Sequence, residues 1–142
     1  MKAGSHVLVV TRDDAIWQHW RQLANEGLLM ARGDGIVDIQ RWQAAGRTLG
    51  VVDSQLALWD DTRWAELDTN TLRCIAISTA LSDVEGQAAL VQGARGYVHA
   101  YASLPMMTRV IEHVAAGELW VGASLLSRLL NVVSRNLGAE HT

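Results

Sequence analysis

Short, uninterrupted apolar runs recur along this chain, and they constrain its fold more than any other feature. In the clearest of them, Leu49 to Val52 are all apolar or glycine, and Asp53 ends the run. Such a run is typical of a strand buried on both faces, as in the interior of a parallel sheet. Ligands of open α/β sheets bind just beyond the carboxyl ends of the strands, so Asp53 is a candidate site residue. An Asp at this place can also be a simple turn residue, because its side chain bonds the backbone two residues on.

Segments with helical spacing separate these runs. The predicted strands cover residues 6–10, 28–31, 49–52, 74–77 and 96–100. The predicted helices cover residues 15–25, 34–46, 82–93, 103–117 and 123–136, and a mixed segment at 56–67 ends in a short helix. Asp34 is expected to cap the second helix. Strands that alternate with helices indicate βαβ units, and therefore a parallel sheet with helices on both faces.

Length, charge and cysteine content narrow the class of protein. A chain of 142 residues is expected to form one domain, and a net charge of -3 argues against a nucleic-acid-binding surface. The single cysteine, Cys74, excludes an internal disulfide and fits a reducing compartment. No apolar run approaches the ~18 residues of a membrane span. Residues 1–6 lack a signal-peptide core, so a cytoplasmic location is expected. The five histidines have no metal-ligand spacing, and neither a metal nor a cofactor is predicted.

A motif in the second half of the chain suggests a family. The sequence GARGYV at residues 93–98, YAS at 101–103 and AAGELW at 115–120 resembles the C-terminal half of a bacterial response-regulator receiver domain, of the NarL/LuxR-type branch. The resemblance extends over about residues 6–130. It implies a flavodoxin-like (βα)5 three-layer sandwich with a five-stranded parallel sheet and an extra C-terminal helix. The implied division is a receiver domain over residues 1–120 and a C-terminal helix and tail over 121–142.

Three positions match the working site of that family. Asp53 matches the aspartate that accepts a phosphoryl group, and Ser78 matches the hydroxyl residue that holds a phosphoryl oxygen. Tyr97 matches the aromatic switch residue of the fifth strand. The resemblance therefore implies a phosphoacceptor position at the carboxyl edge of the sheet.

Other positions of the same pocket depart from the family pattern. Thr11 and Arg12 stand where an acidic pair binds Mg²⁺, and Ala100 stands where the family has a lysine. Mg²⁺ is held by carboxylates and water, which a hydroxyl and a guanidinium cannot replace. A shift of one or two residues could bring Asp13 into the pocket as a ligand. The segment 54–59 also lacks the Met-Pro-Gly turn of the family, so the phosphorylation site is expected to be degenerate.

Arg12 is expected to take the place of the missing metal ion. Arg12 and Asp53 follow strands that are neighbours in the family topology, so both side chains would face one cleft. A guanidinium can hold a carboxylate by two hydrogen bonds. Such a bridge would keep Asp53 ionised but blocked.

The sequence therefore predicts an atypical receiver domain in two-component-type signalling or transcriptional regulation. It is expected to be non-enzymatic and to act by contact with a signalling protein or as a homodimer, without direct binding to nucleic acid or membrane. One alternative is a phosphorylatable receiver with Asp53 as phosphoacceptor and Asp13 as a Mg²⁺ ligand. Another is a small-molecule sensor that uses the cleft where the metal would have been.

The last predicted helix carries an apolar stripe with two interpretations. Its members are Leu125, Leu126, Leu129, Leu130 and Val133. The stripe could pack against its own domain, or it could form a surface for a partner. A symmetric dimer is expected, either through this helix or through the first helix together with the helix at 103–117.

Overall fold

The computed structural model describes residues 4–140, which form alternating strands and helices. The strands are β1 (His6–Val10), β2 (Leu29–Gly33), β3 (Leu49–Asp53), β4 (Arg73–Ser78) and β5 (Gly96–His99). The helices are α1 (Asp14–Trp20), α2 (Ile36–Ala44), α3 (Asp83–Val91), α4 (Leu104–Ala115) and α5 (Ala123–Glu140). All strand pairs are parallel, and the order β2-β1-β3-β4-β5 is that of a flavodoxin-like sheet. The predicted fold class is confirmed.

Two apolar layers pack on opposite faces of the sheet because successive side chains of a strand alternate between faces. In β1, Val7 and Val9 join the layer that contains α1 and α4. Leu8 and Val10 join the layer of α2, α3 and the first turns of α5. Cys74, in β4, also lies in this second layer and is buried.

The segment after β3 departs most from a regular βα unit. Three short 3-10 turns, Ser54–Leu56, Leu58–Asp60 and Thr62–Glu66, stand where a helix would complete the unit. Two tryptophans fill the space that such a helix would cover. Trp59 and Trp64 pack edge to face with their ring centroids 6.3 Å apart, and both are buried. The short helix predicted at the end of this segment is therefore the last of the three turns.

The prediction that Asp34 caps α2 is wrong. The N-cap position is occupied by Gly35, which has no side chain with which to accept a hydrogen bond from the helix. Asp38, in the first turn of α2, instead accepts the backbone N–H of Asp34 at 2.9 Å. Beside the edge strand β5, Trp120 forms a single parallel bridge with Gly96. The chain is therefore paired with the start of β5 just before α5 begins at Ala123.

None of the helices within residues 4–140 is both long enough and apolar enough to cross a membrane.

Candidate functional site

The candidate site lies at the carboxyl edge of the sheet, where β1, β3 and β4 end side by side. Thr11 follows β1, Asp53 ends β3 and Ser78 ends β4. The exposed fractions of these three residues are 0%, 2% and 4%, respectively. Strand pairing places Asp53 opposite Ile77, the residue before Ser78. The sheet thus brings together the three polar residues that the sequence could place only on separate strands.

Asp53 is held by neutral donors. The hydroxyl of Thr11 donates to Asp53 Oδ2 at 2.7 Å, and the backbone N–H of Gln55 donates to Oδ1 at 3.0 Å. The Thr11 oxygen in turn accepts the backbone N–H of Asp13 at 3.0 Å. Each carboxylate oxygen therefore has a donor, which offsets part of the cost of burying the group. The same contacts tie the loop after β1 to the first turn after β3.

The predicted bridge between Arg12 and Asp53 is wrong. Arg12 is exposed, and its Nε donates to the backbone carbonyl of Asp34 at 3.1 Å. The reason is alternation along the extended chain: Thr11 points into the pocket, so the next side chain points away from it. No ion pair involves Asp53 in the part of the chain that the structure describes.

Asp13 has a structural role at the start of α1. Its Oδ1 accepts the backbone N–H groups of Ala15 and Ile16 at 2.9 and 3.3 Å. These are two of the N-terminal amides that a helix leaves without an internal partner. The carboxylate is thus engaged as a helix cap.

The fifth strand brings Ala100 to the same edge of the sheet. Ala100 is fully buried in the layer of α1 and α4, and its N–H donates to the carbonyl of Ser78 at 2.8 Å. Its methyl group offers neither charge nor hydrogen-bonding capacity. The adjacent His99 is exposed, and its Nδ1 accepts the N–H of Tyr101 at 3.0 Å.

Tyr97 is turned inward, with 8% of its surface exposed. Its hydroxyl donates to Glu85 Oε1 at 2.7 Å and accepts the backbone N–H of Ser82 at 2.9 Å. The Ser78 hydroxyl oxygen accepts the backbone N–H of Ala80 at 3.1 Å. Burial raises the pKa of Tyr97, and the hydrogen bond to Glu85 raises that pKa further. The Tyr97 hydroxyl is therefore bound to the N-terminal turn of α3.

The packing of Tyr97 against Gly86 and Leu125 was not predicted from the sequence. Gly86, in the interior of α3, is buried against the rings and side chains of Tyr97 and Leu125. A glycine inside a helical pattern was the available signal, because it costs helix stability and usually has a packing reason. Leu125, one of the two residues packed against Gly86, is about 40 residues away in sequence, so this contact could not be predicted.

Among residues 4–140 there is no group of three or more His, Cys, Asp or Glu side chains that could hold a metal ion.

Solved structures provide the comparison for this geometry. A two-component response regulator of the LuxR family from an Aurantimonas species superposes with a TM-score of 0.71 at 15% identity, over 92% of this chain and 99% of that one. A LuxR-family DNA-binding response regulator from Silicibacter pomeroyi gives 0.67 at 18% identity, over 84% and 98%. The chain has the receiver-domain fold.

A third receiver-like structure is described as an atypical orphan response regulator with a phosphorylation-independent regulatory mechanism. It superposes with a TM-score of 0.64 at 20% identity, over 77% of this chain and 93% of that one. No protein-family model matches the sequence. No curated protein matches it either. The likeness is therefore one of fold.

Proposed function

We propose that this chain is an atypical receiver domain that signals through protein–protein contact, without Mg²⁺-dependent phosphorylation of Asp53. The observation that carries the proposal is the pairing of Asp53 with the Thr11 hydroxyl. That hydrogen bond makes the carboxylate a buried structural acceptor rather than a free nucleophile. The neighbour described as phosphorylation-independent supports the same conclusion by analogy.

The chemistry of phosphoryl transfer explains why this pocket is unsuited to it. Negative charge on the equatorial oxygens of the transferred group is offset by metal ions and cationic side chains. Here Thr11 offers a hydroxyl beside Asp53, and Ala100, which follows β5, offers only a methyl group. Arg12 points away from the pocket. Neither Thr11 nor Ala100 supplies positive charge at the place where negative charge would develop on the transferred group.

The alternative is a phosphorylatable receiver with Asp53 as phosphoacceptor. Its support is that Ser78 lies at the end of β4 and that Tyr97 is turned inward in the neighbouring strand. Recruitment of Asp13 as a Mg²⁺ ligand would first require it to leave the two amides that it caps. Loss of such a cap costs about 1 kcal/mol, and the Thr11–Asp53 bond would have to break as well.

The proposed output is contact with a signalling protein and formation of a homodimer, in the cytoplasm and without direct binding to nucleic acid. Residues 1–120 would form the receiver, and the segment 121–142 would carry the contact surface. Leu126 and Leu130, on the outer side of α5, are 44% and 58% exposed. Apolar side chains exposed on one face of a helix are typical of a partner surface.

Incubation with acetyl phosphate and Mg²⁺, followed by intact-mass analysis, tests the proposal. We expect no phosphoryl adduct on the unchanged chain. The matched control is the triple variant Thr11→Asp, Arg12→Asp and Ala100→Lys, which restores the missing charged groups around Asp53. Formation of an adduct by the unchanged chain, and its loss in Asp53→Asn, would establish the alternative instead.

A further inference from the structure

A cavity of about 460 Å³ lies next to the candidate pocket, at the carboxyl ends of β1 and β2. Two arginines, two aspartates and a glycine line it: Arg12, Arg32, Gly33, Asp34 and Asp38. Gly33 is buried, and a Cβ atom built there would lie 2.7 Å from Asp38 Cβ. The glycine therefore lets the side chain of Asp38 lie against the end of β2. The walls of this cavity carry charges of both signs.

The charged side chains of the cavity are anchored to the surrounding chain. Arg12 Nε donates to the carbonyl of Asp34 at 3.1 Å, and Asp38 Oδ2 accepts the N–H of the same residue at 2.9 Å. Arg32 Nη1 lies 2.9 Å from Asp14 Oδ1. Within residues 4–140, no hydrogen bond or ion pair engages either Nη atom of Arg12, Nη2 of Arg32 or Oδ1 of Asp38. These groups are therefore oriented in advance, while part of the hydrogen-bonding capacity of each is still available.

The opposite charges do not pair with each other across the cavity. In the part of the chain that the structure describes, no ion pair joins Arg12 or Arg32 to a carboxylate of the cavity wall. A purely anionic ligand would meet the carboxylates there, and a purely cationic ligand would meet the guanidinium groups, so each would face like charge. A ligand with both charges avoids this cost, because its carboxylate can bind a guanidinium by two hydrogen bonds and its ammonium group a carboxylate. The lining therefore favours a zwitterion.

A second cavity, of about 330 Å³, adjoins the first, because Arg32 and Asp38 line both of them. It adds Arg41 and Arg47 and, among the described residues that line it, no further carboxylate. The guanidinium carbon of Arg47 lies 5.9 Å from the ring centroid of Trp42, a distance typical of a cation–π contact. A group that extends from the first cavity into the second therefore meets two more positive charges, which favours an anionic group.

We propose that the two adjoining cavities bind a free α-amino acid with an acidic side chain. Arg12 and Arg32 hold its α-carboxylate, and Asp38 receives its ammonium group. Its side-chain carboxylate extends toward Arg41 and Arg47. This inference goes beyond the proposed function, because binding at these residues requires no phosphoryl chemistry and no partner protein.

Titration calorimetry of the full chain with L-glutamate and three analogues tests the charges that the site requires. Glutarate lacks the ammonium group, 4-aminobutyrate lacks the α-carboxylate, and L-glutamine lacks the charge of the side chain. We expect L-glutamate to bind and each analogue to bind at least about tenfold more weakly, because each loses a charge-assisted contact. No binding of L-glutamate at millimolar concentration would overturn the proposal. Equal binding of glutarate would indicate a simple anion site and would overturn it as well, and equal binding of L-glutamine would contradict the acidic side chain.

Substitution of one arginine locates the site. Arg12 is exposed, so Arg12→Ala should fold normally, and we expect it to bind L-glutamate on the order of tenfold more weakly. Arg109→Ala is the matched control, because Arg109 is an exposed arginine of α4, which packs on the other face of the sheet from α2. The control should bind as the unchanged chain does. Equal affinities of the two variants for L-glutamate would overturn the assignment of the site to Arg12.

Discussion

At the scale of single residues, the pocket is defined by hydrogen bonds to Asp53 rather than by charge pairing. Thr11 is fully buried, and its hydroxyl both donates to Asp53 and accepts from the backbone of Asp13. The hydroxyl thereby satisfies a carboxylate that has little access to water. Arg12, which is adjacent in sequence, makes its contact with the loop before α2. Two neighbouring residues at the end of β1 thus differ sharply in their expected contribution to stability.

Replacement of Thr11 with valine removes the hydroxyl but keeps the shape of the side chain. We expect Thr11→Val to lower the free energy of unfolding by about 1–3 kcal/mol, because it leaves a buried acceptor without its donor. Arg12→Ala is the matched control and should change that free energy by no more than about 0.5 kcal/mol. Chemical denaturation curves of both variants provide the measurement. The reverse order of effects would restore the guanidinium as the partner of Asp53.

At the scale of elements, the contact between α3 and α5 depends on a glycine. Alanine at a helix interior position is normally favoured over glycine by roughly 0.5–1 kcal/mol. At Gly86 the added methyl group would meet Leu125 and Tyr97 at distances that require one of them to move. Overpacking of this kind typically costs about 1–3 kcal/mol. The expected sign of the substitution is therefore opposite to that of helix propensity.

We expect Gly86→Ala to lower the free energy of unfolding by about 1 kcal/mol, as the difference between these two effects. The same substitution in a Leu125→Ala background should cost less, because the shortened side chain makes room for the methyl group. A double-mutant cycle in thermal or chemical denaturation measures this coupling. Strictly additive losses would mean that Leu125 does not share the space beside Gly86.

At the scale of the whole molecule, the two edge strands of the sheet, β2 and β5, lie next to different surfaces. The β5 end carries α3 and α5, and the outer residues Leu126 and Leu130 are exposed there. The β2 end is flanked by α2, on which Val37 is 44% exposed, the same fraction as Leu126. Two apolar residues of equal exposure at opposite ends of the sheet allow a controlled test of the dimer surface.

We expect a symmetric dimer at micromolar concentration, and we expect the double variant Leu126→Lys and Leu130→Lys to be monomeric. Lysines at the centre of a two-fold interface would bring like charges together, which opposes association. Val37→Lys should leave the dimer intact. Sedimentation analysis distinguishes these outcomes. A single species of 15.5 kDa for the unchanged chain would contradict the prediction.

The sequence alone determined the alternation of buried strands and helices, because apolar periodicity is a local property of the chain. The resemblance to a family also pointed to Asp53 and Ser78 at the ends of two strands and to Tyr97 within the fifth strand. The prediction that Arg12 faces Asp53 was wrong, because one step along the extended chain reverses the direction of a side chain. Only the tertiary structure decided that Thr11 is the partner of Asp53, and that Leu125 meets Tyr97 across Gly86. Those contacts join residues far apart in the sequence, and only the packed sheet and helices bring them within reach of each other.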